Sequence, residues 1–372
     1  MKYLDEFRDG DRARGLAAAI HQAVRPGRTY RFMEFCGGHT HAIFRYGLPE
    51  LLPGNVHMIH GPGCPVCVLP AGRVDMAVAL AARSEVTLCT YGDLLRVPGS
   101  RGRSLARTRA EGADVRMVYS AADTLAIARA HPDREVVFFA IGFETTTPPT
   151  AVVIRQAAAE GLTNFSVVCN HVLTPAAMEA ILAGGPEAPA IDGFVGPSHV
   201  STIIGTRPYD AFATEHGKPV VIAGFEPLDV LAAVHMLIVQ VNAGRAAVEN
   251  EYARAVSAAG NSRAQALVTD VLERRDHFEW RGLGRIPASA LQIREAYAAF
   301  DAERRFGLMA GHPRENAACI CPAVLRGSAR PTECTLFGTT CTPDNPMGAC
   351  MVSSEGACAA YYAYGAVREP TE

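Results

Sequence analysis

Residues 31–47 read RFMEFCGGHTHAIFRYG: an apolar run broken by one carboxylate, then a cysteine, two glycines and a segment with helical spacing. An extended run that stops at Cys36 and passes through Gly37 and Gly38 into a short helix is the strand–turn–helix step of a parallel α/β protein. In this reading the glycines permit a tight turn with φ > 0, Thr40 caps the helix and Gly47 ends it. Cys36 then faces a helix N-terminus, where unpaired N–H groups and the helix dipole favour a thiolate or an anionic ligand. His39 or His41 could share a proton with that thiol, ligate a metal or hydrogen-bond a bound group. The plain alternative is a buried, inert cysteine with packing histidines.

The same step recurs along the chain. Stretches 56–59, 86–90, 114–118 and 135–141 read as buried strands, with helical runs over 1–25, 69–83 and 121–130. Strands at 165–169, 194–195 and 219–223 and helices at 175–182 and 228–243 continue the series. Beyond about residue 260 the pattern becomes loop-rich, with EWRGLGRIP, a helical run near 290–300 and a tail rich in Cys, Pro and Gly. The expected fold is therefore α/β: two related domains with parallel sheets over 1–140 and 141–260, and a small loop-rich, cysteine-rich C-terminal domain over 261–372. A chain of 372 residues exceeds what one core usually serves, which agrees with that division.

Composition excludes several classes. A net charge of −3 with 20% charged residues argues against nucleic acid as a partner. The apolar stretch 230–241 carries His235 and Gln240 and falls short of the roughly 20 residues that span a bilayer, so no membrane segment is expected. The N-terminal MKYLDEFRDGDRARG lacks the apolar core of a secretory signal, which points to the cytoplasm. There, eleven cysteines bind metal or do redox work more often than they build a disulfide frame.

Two further stretches carry chemistry. IHGPGCPVCVLP, 59–70, places Cys64 and Cys67 as a C-x-x-C pair just ahead of a helix that Pro70 opens. Such a pair can close a redox disulfide, and zinc held with Cys36 and His39 is the competing reading. VVFFAIGFETTTPPTA, 136–151, runs a strand into Glu144, Thr145 and Thr146, a polar edge that could hold phosphate or another small ligand, or could merely cap a helix. It lacks the glycines and lysine of a P-loop. His171 and His199 each follow an expected strand. In the tail, cysteines at 319, 321, 334, 341, 350 and 358 do not form the paired knuckles of a zinc ribbon. Their irregular spacing suits a 4Fe-4S cluster, with Cys321, Cys334, Cys341 and Cys358 as the preferred ligands and Cys319 or Cys350 as a substitute.

Together CGGHTH, GPGCPVC, GFETTTP, GFEPLDVL, ENEYAR, WRGLG and the terminal CMVSSEGACAAYY resemble the hydrogenase maturation factor HypD family over nearly the whole chain. The resemblance implies a scaffold that, with a HypC-type chaperone, assembles the Fe(CN)2CO unit of nickel–iron hydrogenases. A HypE-type protein donates the cyanide, and the hydrogenase large subunit is the indirect recipient. By motif position, Cys36 looks like the thiol that binds the transient iron bearing cyanide and carbonyl ligands, beside His39 and the Gly37–Gly38 amides. Cys64 and Cys67 look like the thiol/disulfide pair that exchanges electrons with the cluster. A stand-alone thiol-disulfide oxidoreductase is the alternative from another class.

Overall fold

Short runs rich in β-branched and aromatic residues, closed by glycine, proline or polar residues, form the strands where their pattern predicts them. The computed structural model describes residues 5–184, 189–311 and 315–365; the ends of the helical run expected at 1–25 and of the C-terminal unit thus lie partly outside the described residues. The strands of the two main sheets are β1 (Tyr30–Glu34), β2 (Val56–His60), β3 (Val86–Thr90), β4 (Val115–Met117), β5 (Glu135–Gly142), β6 (Phe165–His171), β7 (Gly193–Pro197), β8 (Val220–Ala223) and β9 (Val248–Asn250). One sheet has the order β2-β1-β7-β8-β9, the other β4-β3-β5-β6, and every pairing in both is parallel.

The chain lays down β1 and β2, leaves to build the whole second sheet, and returns to complete the first. Strand pairing therefore crosses the division expected at 140/141, and β5 runs through that boundary. The physical reason is that parallel strands buried on both faces show the same continuous apolar run whichever sheet they join. The pattern marks strands, not partners.

In each sheet the order reverses beside the first strand laid down, between β1 and β7 and between β3 and β5. The crevice outside the carboxyl ends of the strands at such a point is where open α/β sheets hold ligands. Register brings the ends level: Glu34 lies opposite both His60 and Val195, and Pro197 opposite Ala223. The segments after β1, β2, β7 and β8 consequently meet at one edge.

Helices Gly10–Ala23 and Pro227–Asn242 cover one face of the five-stranded sheet through Ile20, Val230, Leu231, Val234 and Leu237. The largest core is shared: Met33, Phe35 and Phe194 of the first sheet pack with Val137, Phe139 and Ile141 of the second and with Trp280 and Cys321 of the C-terminal part. Two elements of that part differ from expectation. EWRGLGRIP is a hairpin of β11 (His277–Trp280) and β12 (Gly284–Pro287), preceded by β10 (Leu272–Arg274). Its core-facing Phe278, Trp280 and Ile286 alternate over too short a run to stand out. The helical run near 290–300 is β13 (Leu291–Ile293), paired antiparallel with β10, followed by a 3-10 turn, Glu295–Phe300. Residues 315–365 are built of short helical turns such as Cys321–Leu325 and Ala357–Ala360. No helix among the described residues is long and apolar enough to cross a membrane.

Candidate functional site

Cys36 is extended (φ −149°, ψ 128°) and is itself the N-cap of helix Gly37–Arg45. Thr40, expected as the cap, lies one turn in and donates its hydroxyl to Glu34. Gly37 and Gly38 are helical rather than left-handed. What they supply is space: a Cβ on Gly38 would stand 2.6 Å from the Phe225 ring, and one on Gly37 would collide with Glu355. Gly63 does the same from the other side. A Cβ there would sit 2.6 Å from the Cys36 backbone, and its carbonyl accepts the Gly37 N–H at 3.0 Å. The loops that carry Cys36 and Cys64 thus lie back to back.

Glu34, fully buried, organises this corner. It accepts the Cys36 N–H at 3.0 Å, the Thr40 hydroxyl and, at 2.8 Å, His60 Nδ1. The N–H groups of Gly38 and His39 do face the Cys36 sulfur, as a helix N-terminus should present them. Burial and the carboxylates of Glu355 and Glu34 nevertheless outweigh them and push the thiol's pKa up, so the expected free thiolate is corrected to a protonated thiol. His39 is neutral because burial holds its pKa down. Its Nε2 lies 3.0 Å from the Ala223 and Gly224 carbonyls. Carbonyls only accept, so Nε2 carries the hydrogen and Nδ1 keeps a lone pair, buried and without a partner among the described residues. Phe225 lies between His39 and His199, tilted against both rings with centroids at 4.8 and 4.1 Å, and so draws His199 into the site. His41 packs instead against Tyr364.

Cys64 and Cys67 are joined by a disulfide across helix Pro65–Val68, and both sulfurs are buried. Paired in this way they are not zinc ligands. Cys67 Sγ lies 4.0 Å from the carbonyl of Ala349, the residue before Cys350. All six tail cysteines, the preferred Cys321, Cys334, Cys341 and Cys358 and also Cys319 and Cys350, line one small apolar cavity. Cys319, Cys321, Cys350 and Cys358 are neighbours in series there: hydrogen bonds from Cys319 and Cys350 hold the Cys321 thiol well below its ordinary range and push those two up. No three His, Cys, Asp or Glu side chains among the described residues converge on a point that would hold a single ion. A cluster takes one thiolate per iron and so spreads its ligands, and this soft, all-sulfur donor set fits it.

The third stretch makes no hydrogen bond to the first among the described residues. Glu144, at the end of β5, accepts the Thr174 N–H and hydroxyl at 2.9 and 3.0 Å, and burial pushes its pKa up to about 7. The hydroxyls of Thr146 and Thr147 donate to the Phe143 carbonyl, and Thr145 is half-buried. Glu144 lines a ≈ 360 Å³ cavity with Gln265, Arg274 and Arg294, and both it and Cys36 act on the buried Tyr209 hydroxyl. His171 bonds Thr150 and is held at about 4 by burial. Sequence reading missed Glu34, Phe225 and Glu355. A lone carboxylate inside the apolar run RFMEF was a usable signal for the first; the other two come from distant segments that no local spacing marks.

Residues 11–365 match the HypD family model, described as "Hydrogenase formation hypA family". The chain belongs to the HypD family. Named HypD relatives cover it almost end to end. The hydrogenase maturation factor HypD of Azotobacter vinelandii is 65% identical over 373 residues, covering 99% of this chain and 98% of its own. That of Escherichia coli K12 is 47% identical over 371 residues, 98% of each chain. The hydrogenase expression/formation protein HupD of Azotobacter chroococcum mcd 1 is 65% identical over 373 residues, 99% of this chain and 98% of its own.

Proposed function

We propose that this HypD-family chain is a cytoplasmic hydrogenase maturation scaffold: with a HypC-type chaperone it binds iron at Cys36, while a HypE-type protein supplies cyanide to build the Fe(CN)2CO unit for the hydrogenase large subunit. The observation that carries this reading is the contiguity of three sulfur sites. The Cys36 loop is bonded to the Cys64 loop through Gly37 and Gly63, and the Cys64–Cys67 disulfide abuts Ala349 beside Cys350. Iron(II) binding at Cys36 displaces the proton that burial otherwise retains. His39 Nδ1 then offers a lone pair at the same strand edge, as a hydrogen-bond acceptor or metal ligand, and the helix amides supply N–H groups. A 4Fe-4S cluster in the cysteine cavity, held by Cys321, Cys334, Cys341 and Cys358, supplies one-electron storage when bound. Opening the disulfide takes two electrons and two protons, breaks the S–S bond and leaves two thiols; the electrons come from an external one-electron reductant.

Burial of both disulfide sulfurs supports an internal relay over a stand-alone oxidoreductase, because exchange with outside thiols requires direct attack on sulfur. The test is Cys36→Ala, purified anaerobically with the small partner. Infrared cyanide and carbonyl bands and the partner-bound iron disappear, while the visible spectrum of the C-terminal cluster stays. Survival of the infrared bands in this variant would sink the assignment of Cys36.

A further inference from the structure

Arg281 follows β11 and is 6% exposed. Its backbone N–H donates to the Val68 carbonyl at 2.7 Å and its Nε to the Leu69 carbonyl at 3.0 Å, which fastens it to the C-terminal end of the helix that carries Cys67. Nη1 pairs with Glu315 at 2.7 Å. Nη2 is buried and has no hydrogen-bond partner among the described residues. The guanidinium lines a ≈ 500 Å³ cavity together with Cys319 and Cys321, and its charge acts on the Cys321 thiol.

A buried charged donor left unpaired is costly, and such groups in folded proteins almost always have an acceptor. The cavity wall presents the sulfurs of Cys319 and Cys321, which also line the six-cysteine cavity, alongside oxygen acceptors of Glu315, Asn316 and Asn345. An anionic thiolate or sulfide receiving a guanidinium N–H makes a charge-assisted bond, and hydrogen bonds to sulfur and net local charge are what set the potential of an iron–sulfur cluster.

We propose that Arg281 is a positioning residue of the cysteine cavity, its Nη2 donating to a sulfur of the cluster held there and making that cluster easier to reduce. The inference rests on reading the cavity as a cluster site. Because the backbone N–H and the side chain of the same residue grip the Val68 and Leu69 carbonyls beyond Cys67, it joins the disulfide helix to the cluster and fixes their separation. Glu315, paired to Nη1, damps the effect of the positive charge.

The experiment is an EPR-monitored potentiometric titration of the full chain, reconstituted anaerobically with iron and sulfide, alongside Arg281→Gln and Glu315→Gln. Arg281→Gln, with iron content unchanged, lowers the equilibrium constant for cluster reduction about tenfold, roughly 59 mV for a one-electron couple. Glu315→Gln moves it the other way by a smaller factor. A fully loaded Arg281→Gln protein with an unshifted potential overturns the proposal. If that variant takes up no cluster, Glu315→Gln decides: a shift towards easier reduction supports the proposal, and an unchanged potential overturns it. A wild-type chain that takes up no cluster overturns the reading of the cavity and this inference with it, whereas a loaded wild type with indifferent variants overturns the role of Arg281 alone.

Discussion

Glu144 is a carboxyl that the fold keeps out of water. Both its oxygens accept from Thr174, yet burial dominates and its pKa lies at about 7 against an ordinary 4.5. The folded state thus binds more protons than the unfolded one between those values, and the group's contribution to stability falls as pH rises through that window, at up to about 1.4 kcal/mol per pH unit. Glu144→Gln removes this slope: its Tm relative to wild type improves on going from about pH 5 to about pH 7, as scanning calorimetry will show. Glu355 acts on a second group. Its carboxylate is, after burial, the largest influence holding the Cys36 thiol up. Glu355→Gln therefore speeds alkylation of Cys36 at a fixed pH of about 8.5, read peptide by peptide by mass spectrometry, and an unchanged rate would remove Glu355 from the site. Cys36, Cys64 and Cys67 were legible in the sequence because each sits in a short motif with its own turn residues. Glu355 was not, because its contact with Gly37 joins residues from opposite ends of the chain.

At the scale of elements, helix Pro65–Val68 is a single turn closed by the Cys64–Cys67 disulfide and wedged between the Cys36 loop and Ala349. Cross-linking a loop of about four residues removes little chain entropy, about 2 kcal/mol at 25 °C. The bond is thus a minor contributor to stability for a chain with so large a shared core. Replacing both cysteines by serine will lower Tm by only a few degrees, measured by thermal unfolding, while abolishing the infrared signature of the assembled iron unit. A collapse of the fold would instead make the pair a structural clip. Strands and helices flanked by glycine or proline were legible to within a few residues, as at Val86–Thr90 and Ala121–Ala130. The hairpin at 277–287 and the strand at 291–293 were not, since three or four residues of alternation compete with equally good helical spacing.

Across the whole molecule, the excursion of the chain into a second sheet and back brings distant segments together, and Glu303 joins three of them. Its carboxylate receives Arg73 at 2.7 and 3.0 Å and also pairs with Arg275, while Arg73 Nε reaches Asn170 on β6 at 2.5 Å. The helix after β2, the edge strand of the second sheet and the segment after β10 therefore share one nearly buried charge cluster. Which strands a sheet recruits was illegible in an apolar run, and so was this cluster, in which Arg73 and Glu303 stand 230 residues apart. Burial raises the Glu303 pKa, but the two guanidinia outweigh it and leave the group at about 2. With an ordinary value of 4.5, its contribution is present in full above that pH, amounts to about 3 kcal/mol, and is lost only as pH falls towards 2. Glu303→Gln strands two buried arginines, a loss of roughly 3–5 kcal/mol. The signature is a gap in Tm between variant and wild type that stays constant from about pH 8 to about pH 5, in contrast to the sloping gap of Glu144→Gln. A gap that varied over that range would mean that Glu303 titrates there, and that the two arginines do not hold it ionised.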